Sequence, residues 1–355
     1  MCHQSVRNNH MKGKRTKLPL KNILLAACAI MWFGVSLRHL SPTASSVKAP
    51  YASPHAGSTA QPVQRVTFPL ISIIACFKGF DTYAAEGQRR ALRSWMAYRP
   101  YIEIIMLCDD PGVAQVAKEN GIKHVPGVKV TRHGIPYWKS VVLLGQHHAS
   151  APYVMFVNGD VVLRGSLMEP VIALTSRGIT DFVLSGRRYD VNASANSDHH
   201  LPVGWETSDA PVEELQRALD PTHGNFGEAM RMDYFVFLRG KLSAETTPNF
   251  QIGMLKWDGW LWDQWEEDAR YDITSTILAV HFGHDNAIVY RAHDDPDADS
   301  VIQEGVKHNM ALETKHRRFF TSSSSSAAWV SQFCDRGEAP LRCVEFVRNP
   351  NRKAS

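Results

Sequence analysis

The run Tyr153 to Leu163, YVMFVNGDVVL, constrains the fold more than any other part of the chain. Its apolar, β-branched and aromatic side chains predict a strand buried on both faces, which is typical of a parallel sheet. The run is interrupted by Asn158-Gly159-Asp160, which is either a turn between two strands or a functional carboxylate at the end of a buried strand. A glycine beside that carboxylate would let a ligand approach the backbone closely.

Apolar strand-like runs alternate with helical patterns on both sides of this stretch. Strands are predicted at 70–77, 101–108 and 181–185, and helices at 82–98 and 138–148. This order predicts an α/β fold, with a mixed, mainly parallel sheet flanked by helices.

The positive charge of the chain is concentrated at its N-terminus. Ten of the 39 Lys and Arg residues precede Asp81, the first acidic residue, so the remainder carries 29 basic against 35 acidic groups. A mildly acidic globular part without a basic patch is not typical of nucleic-acid binding, so no nucleic-acid partner is expected.

The same end of the chain carries a membrane signal. Residues 23–37 form an uncharged apolar run behind a basic cytosolic tail at 1–22. A cleaved secretory signal has the same layout, but no small-residue cleavage site follows, so a signal-anchor transmembrane segment is favoured. The rest of the chain would then lie in the lumen of the Golgi or endoplasmic reticulum. Residues 38–69 predict a flexible Pro/Ser-rich stem, 70–310 one lumenal domain, and 311–355 a weakly packed tail.

The six cysteines are too few for a disulfide scaffold in a chain of 355 residues. Cys76 and Cys108 lie in strand-like runs and are expected to be buried thiols. Cys334 and Cys343 are close in the sequence and able to pair in an oxidising lumen. The sequon at 192–194 (Asn-Ala-Ser) is consistent with lumenal exposure.

Two groups of polar residues follow predicted buried strands. One is Asn158-Gly159-Asp160, and the other is HFGHD at 281–285. If these strand ends meet, Asp160 with His284 or His281 supplies oxygen and nitrogen ligands for a divalent cation. Such an incomplete set of ligands leaves room for the phosphates of a substrate. The alternative is that the histidines are structural.

Asp258 lies between Trp257 and Trp260 where a helix is predicted to begin. A carboxylate there is favoured by the helix dipole, so its role is either structural or that of a general base. In the second case the two tryptophans would bind substrate by stacking on a sugar ring, although some of the neighbouring tryptophans must belong to the core.

Three further charged residues are candidates for substrate contacts. Asp233 precedes an apolar strand and either binds substrate or caps a turn. Arg187 and Arg188 either pair with phosphate or form a solvated pair. Zinc spacing of Cys and His, a phosphate-binding glycine loop and a nucleophile elbow are all absent from the sequence.

Four stretches together resemble the nucleotide-diphospho-sugar transferases, glycosyltransferases with a GT-A type fold. They are YVMFVNGDVVL, SGRRYD, DYFVF followed by PNFQIGMLKWDGWL, and HFGHD, in this order between residues 71 and 285. The resemblance implies a GT-A-like domain, a nucleotide-sugar donor (a UDP-sugar is expected), a glycan or glycoprotein acceptor, and Mn²⁺ or Mg²⁺ as cofactor.

Matched residue by residue, the resemblance assigns the metal to Asp160, with His284 or His281 as the distal ligand and Asn158 nearby. It places Asp258 where an acceptor-facing carboxylate is expected. The family's metal motif commonly has a carboxylate at both ends, whereas position 158 is Asn here, which removes one charge. The residues that the resemblance implies border the nucleotide are Ala75, Phe77 and Asp109.

The sequence therefore predicts a membrane-anchored lumenal glycosyltransferase that moves a sugar from a nucleotide diphosphate to a glycan or protein hydroxyl. Two alternatives stay open. One is a binding relative that keeps the fold without turnover, and the other is a metal-dependent phosphoesterase that uses His281, His284 and Asp285.

Overall fold

A computed structural model of the protein describes eight stretches of the chain. The predicted tail at 1–22, the anchor at 23–37, the sequon and nearly all of the stem lie outside them. Within the described stretches, no helix has both the length and the apolar character that a membrane span requires. The described residues are 68–191, 204–208, 210–219, 224–226, 231–282, 298–316, 326–334 and 343–350.

Strands and helices alternate along most of the described chain, as predicted. The strands are β1 (Ile71–Cys76), β2 (Ile102–Leu107), β3 (Lys123–Val125), β4 (Tyr153–Val157), β5 (Val161–Gly165), β6 (Val183–Ser185), β7 (Arg188–Val191), β8 (Gly224–Phe226), β9 (Tyr234–Leu238), β10 (Arg270–Asp272), β11 (Ile277–Phe282), β12 (Trp329–Phe333) and β13 (Val344–Arg348). The α-helices are α1 (Ala85–Met96), α2 (Val113–Glu119), α3 (Trp138–His148), α4 (Met168–Thr175), α5 (Val212–Ala218), α6 (Trp257–Trp262) and α7 (Ala298–His316).

The large sheet has the strand order β13-β12-β10-β6-β9-β4-β1-β2-β3. Strands β4, β1, β2 and β3 are parallel neighbours, whereas β9 runs antiparallel to both β4 and β6. The predicted mixed, mainly parallel sheet is thus confirmed. The apolar strand β4 is buried along its whole length near the centre, as expected of a strand covered on both faces.

Alternation along the strands builds an apolar layer on each face of this sheet. Ile73 and Ala75 of β1 pack into one buried cluster. Ile74, between them, packs with Phe156 and Trp138 in the other cluster. Because successive side chains point to opposite faces, the side chain of Cys76 at the end of β1 lies on the same face as Ile74.

The interruption at 158–160 separates two sheets. Strand β4 belongs to the large sheet, and β5 belongs to a smaller sheet with the order β5-β11-β7-β8. A turn closed by the bond from the Val161 N–H to the Asn158 carbonyl (3.1 Å) links them. The prediction of a turn between two strands is therefore confirmed, and the tripeptide also lies at the end of a buried strand. A functional role for Asp160 stays a prediction.

The predicted weakly packed tail at 311–355 is a point where the structure differs. Helix α7 crosses the expected boundary, and β12 and β13 extend the large sheet beside β10. The segments WVSQF and VEFVR mix apolar and polar side chains, so they lack the continuous apolar run that marks the central strands.

The cysteines also differ in part from the prediction. Cys76 and Cys108 form a disulfide instead of remaining thiols. Neighbouring parallel strands end at the same edge of the sheet, which brings the two Cα atoms to 5.5 Å. The pairing of Cys334 with Cys343 is confirmed.

Candidate functional site

The turn after β4 and the end of β11 meet at the edge of the large sheet. Strand β11 pairs with β5 so that His281 lies opposite Val161, directly after Asp160. This register brings the Nε2 atom of His281 to 3.6 Å from the Oδ2 atom of Asp160. Two residues separated by 121 positions in the chain thus contribute to one site. His284, the preferred distal ligand in the prediction, lies outside the described residues.

A cavity of about 100 Å³ opens beside this pair. Its lining combines two cationic side chains, polar groups and backbone from the strand ends. A compact pocket with a few converging polar groups is typical of a ligand site. The lining residues are Cys76, Lys78, Gln88, Phe156, Asn158, Gly159, Asp160, Arg188, Ile252, Gly253 and His281.

Asp190 holds the other side of the His281 ring. Strand β7 runs parallel to β11 with His281 opposite Asp190, and the His281 Nδ1 and Asp190 Oδ1 atoms are 3.1 Å apart. Burial opposes ionisation of Asp190, but the hydrogen bond with His281 and the charge of Arg188 lower its pKa to about 2. Burial would lower the pKa of His281, but the charge of Asp160 raises it above its ordinary value.

Arg188 links the carboxylates of the site. Its Nε atom donates to Asp190 Oδ1 at 2.7 Å, and its Nη1 atom forms an ion pair with Asp233. The predicted Asp233 side chain therefore contacts Arg188, and the Asp233 carbonyl also accepts a bond from the Asn158 N–H at 3.1 Å. Arg187, by contrast, is not among the described residues that line the cavity. Its backbone N–H donates to Thr274 Oγ1 at 2.9 Å.

Asp258 lies in the first turn of α6, as predicted, and accepts a hydrogen bond from the Gly259 N–H at 2.8 Å. Burial raises its pKa to about 6, against the lowering effect of that hydrogen bond and of the charges of Lys256 and Arg188. A carboxylate with a pKa near 6 is a suitable general base close to neutral pH.

The two predicted sugar-stacking tryptophans are core residues. Trp257 is 4% exposed and packs against Trp138 and Phe156, and Trp260 is 2% exposed and packs on Phe250. Their placement corrects the prediction, because neither ring has an open face for a sugar. Aromatic residues on a short helix against a sheet bury large apolar areas, which favours the core.

Two of the residues predicted to border the nucleotide, Ala75 and Phe77, also need correction. Ala75 and Phe77 are fully buried, and Phe77 packs on Phe80. Because successive side chains point to opposite faces of the sheet, the residue between them, Cys76, is the one that lines the cavity. Asp109 is exposed and accepts a hydrogen bond from the Gly127 N–H at 2.8 Å.

Three residues of the site were not predicted from the sequence. Gln88 accepts from the Lys78 N–H at 2.6 Å and donates to the Lys78 carbonyl at 3.0 Å, which holds the end of β1 in place. Lys78 follows the apolar run of β1, so its position after a strand end is the sequence signal that could have identified it. Asp190 stands within SGRRYD, where only the arginines were considered.

The donor set around Asp160 is suitable for a divalent cation. Metal bonds of about 2.1 Å allow two ligands of one ion to be at most about 4.2 Å apart, and Asp160 Oδ2 and His281 Nε2 are within that limit. Among the described residues, no group of three or more His, Cys, Asp or Glu is arranged as a metal site.

Comparison with protein-family models and with curated proteins finds no match. Among solved structures, S. aureus TarS 1-349 in complex with UDP-GlcNAc matches at 11% identity and a TM-score of 0.41. The match covers 63% of this chain and 61% of that one, so the chain spans about three fifths of the TarS fragment. Glucosyl-3-phosphoglycerate synthase from Mycobacterium tuberculosis, in complex with Mn²⁺, UDP and glucosyl-3-phosphoglycerate, matches at 14% identity and a TM-score of 0.38, over 79% of this chain and 87% of that one.

A synthase of 4-diphosphocytidyl-2C-methyl-D-erythritol from Anaerococcus prevotii matches at 12% identity and a TM-score of 0.32, over 69% of this chain and 96% of that one. Scores this low carry no functional argument. The observed mixed sheet, with a polar site at its strand ends, fits the GT-A-type nucleotide-sugar transferase architecture that the motifs resemble.

Proposed function

We propose that the protein is a metal-dependent glycosyltransferase that uses a nucleotide-sugar donor, in the first place a UDP-sugar. The observation that carries the proposal is the approach of Asp160 and His281 to 3.6 Å beside a cavity with cationic side chains. His281 is one of the two histidines, with His284, that the sequence resemblance offers as the distal ligand beside Asp160.

The donor diphosphate would bind in the cavity beside β1. Lys78 and Arg188 line it, so a diphosphate there meets two cationic side chains. A Mn²⁺ or Mg²⁺ ion held by Asp160 and His281 would neutralise the charge that develops on the leaving diphosphate. Asn158 lines the same cavity and offers an uncharged amide where a carboxylate is commoner, which makes the site less negative.

Asp258 would accept the proton of the acceptor hydroxyl. Its raised pKa of about 6 leaves it ionised at neutral pH yet basic enough to take a proton. The backbone N–H of Gly259 orients one of its oxygens. The acceptor itself is proposed to be a glycan or a protein hydroxyl.

A lumenal location on the secretory route is part of the proposal. It is supported by the apolar run at 23–37 behind basic residues, and by the two disulfides, which are typical of an oxidising compartment.

The test is a screen of nucleotide sugars for donor hydrolysis and transfer by the purified full-length chain, with and without Mn²⁺. We expect turnover of one donor class that requires the metal. The Asp160→Asn variant should lose about 10²-fold or more in kcat, by analogy with the removal of one electrostatic group in other active sites. Its melting temperature should stay close to that of the wild type.

The matched control is Asp268→Asn, which removes an exposed carboxylate paired with Arg348 at 3.0 Å and should leave turnover unchanged. Absence of both turnover and Mn²⁺-dependent UDP binding would overturn the proposal. Metal-dependent hydrolysis of a simple phosphodiester, lost in His281→Ala, would favour a phosphoesterase instead. UDP binding without any turnover would favour a binding protein.

A further inference from the structure

The contact between Asp190 and His281 constrains the histidine side chain in a way that burial and strand pairing do not. His281 is 5% exposed, and strand pairing already fixes its backbone opposite Asp190. Strand pairing does not fix the rotation of the imidazole ring, however. The ring contact at 3.1 Å, from Nδ1 to Asp190 Oδ1, does so.

Asp190 is itself held from two further directions. Arg188 Nε donates to its Oδ1 atom at 2.7 Å, and Arg231 Nη1 donates to its Oδ2 atom at 2.7 Å. With two guanidinium groups donating to it, the carboxylate acts only as an acceptor. The hydrogen in the contact with the ring therefore belongs to His281 Nδ1, which leaves Nε2 directed at Asp160.

We propose that Asp190 is a positioning residue that sets the ring orientation and tautomer of His281, so that Nε2 presents its lone pair to the cation beside Asp160. This inference rests on the proposed function, since it assigns a role at the same metal site. Partners of this kind commonly hold metal-binding histidines, and their loss typically costs about 10–100-fold in metal affinity. Asp190 is linked to the metal site by the register of β7 and β11, which sets it opposite His281.

The inference predicts that the effects of two substitutions will not add. We would measure Mn²⁺ dissociation constants, from the electron paramagnetic resonance signal of free Mn²⁺, for the wild type, Asp190→Ala, His281→Ala and the double variant. Asp190→Ala should weaken binding by about 10–100-fold. The double variant should bind no more weakly than His281→Ala alone, because Asp190 acts through the ring that His281→Ala has removed.

Two further measurements separate positioning from a loss of folding. Asp190→Asn retains a carbonyl oxygen that can accept from Nδ1, so it should recover much of the Mn²⁺ affinity lost in Asp190→Ala. The ¹⁵N NMR shifts of His281 in the metal-free protein should show a protonated Nδ1 in the wild type and a changed ring state in Asp190→Ala. Asp268→Ala, which removes an exposed carboxylate, should change neither quantity.

The outcomes are distinguishable. If the wild type binds Mn²⁺ but the two losses add, or if Asp190→Ala binds as well as the wild type, the positioning role of Asp190 is wrong and the proposed function stands. If the wild type does not bind Mn²⁺ with or without UDP, the metal site and the role of Asp190 fall together.

Discussion

The disulfide between Cys76 and Cys108 gives a prediction whose magnitude follows from the structure. It closes a loop with a sequence separation of 32 residues. In the chain-entropy relation, −2.1 − 1.5R ln n cal/mol/K, this loop corresponds to about 3.7 kcal/mol at 25 °C. Replacing both cysteines by serine should lower the free energy of unfolding by about that amount, because the unfolded chain regains the entropy that the bridge removes.

The second disulfide supplies an internal control. Cys334 and Cys343 are separated by 9 residues, for which the same relation gives about 2.6 kcal/mol. Equilibrium unfolding in guanidinium chloride, under oxidising conditions, should therefore show that the Cys76→Ser/Cys108→Ser variant loses about 1 kcal/mol more than Cys334→Ser/Cys343→Ser. Equal losses, or the reverse order, would refute the reasoning that loop length sets the contribution of each bridge.

Two further substitutions and one pH profile test the geometry of the site. In Gly159→Ala the new Cβ would lie 2.7 Å from the Cys76 carbonyl oxygen. We therefore expect a loss of about 1–3 kcal/mol in the free energy of unfolding, together with weaker UDP binding measured by calorimetry. The control Gly87→Ala, whose new Cβ would lie 3.9 Å from its nearest neighbour, should be tolerated. The pH profile of kcat/KM should rise through pH 6, where Asp258 loses its proton, and a profile flat from pH 5 to 8 would contradict its role as the base. Gln88→Leu removes the side chain that hydrogen-bonds to the Lys78 N–H and carbonyl. It should lower the free energy of unfolding, measured by thermal unfolding, by about 1–3 kcal/mol and weaken UDP binding. Unchanged UDP binding would show that the segment after β1 does not support the nucleotide.

The architecture was predictable where one physical signal dominates. Strand β4 was found because five successive buried apolar residues, YVMFV, can hardly form anything but a central strand. The approach of Asp160 to His281 was also predictable, since each lies where an apolar run of the sequence ends and such ends converge at the edge of an α/β sheet. The structure achieves it by pairing His281, near the end of β11, with Val161 of β5. His284 was favoured over His281, and only the latter lies among the described residues.

Other features depend on register, which the sequence does not reveal. The contact of Asp190 with His281 requires β7 to pair with β11 in one particular alignment, and a shift of one residue would turn Asp190 away. The disulfide at Cys76 likewise depends on how β1 and β2 align. The predicted role of Trp257 was wrong for another reason. An aromatic residue beside a carboxylate has the same local sequence pattern whether it stacks on a sugar or packs in the core.

The central claim is that Asp160 and His281 bind one divalent cation beneath the diphosphate of a nucleotide sugar. The most direct measurement is anomalous X-ray scattering at the manganese edge from crystals of the protein grown with Mn²⁺ and UDP. The account predicts a manganese peak within bonding distance of both Asp160 Oδ2 and His281 Nε2. A peak that contacts neither atom, or bound UDP with no manganese beside it, would contradict the account.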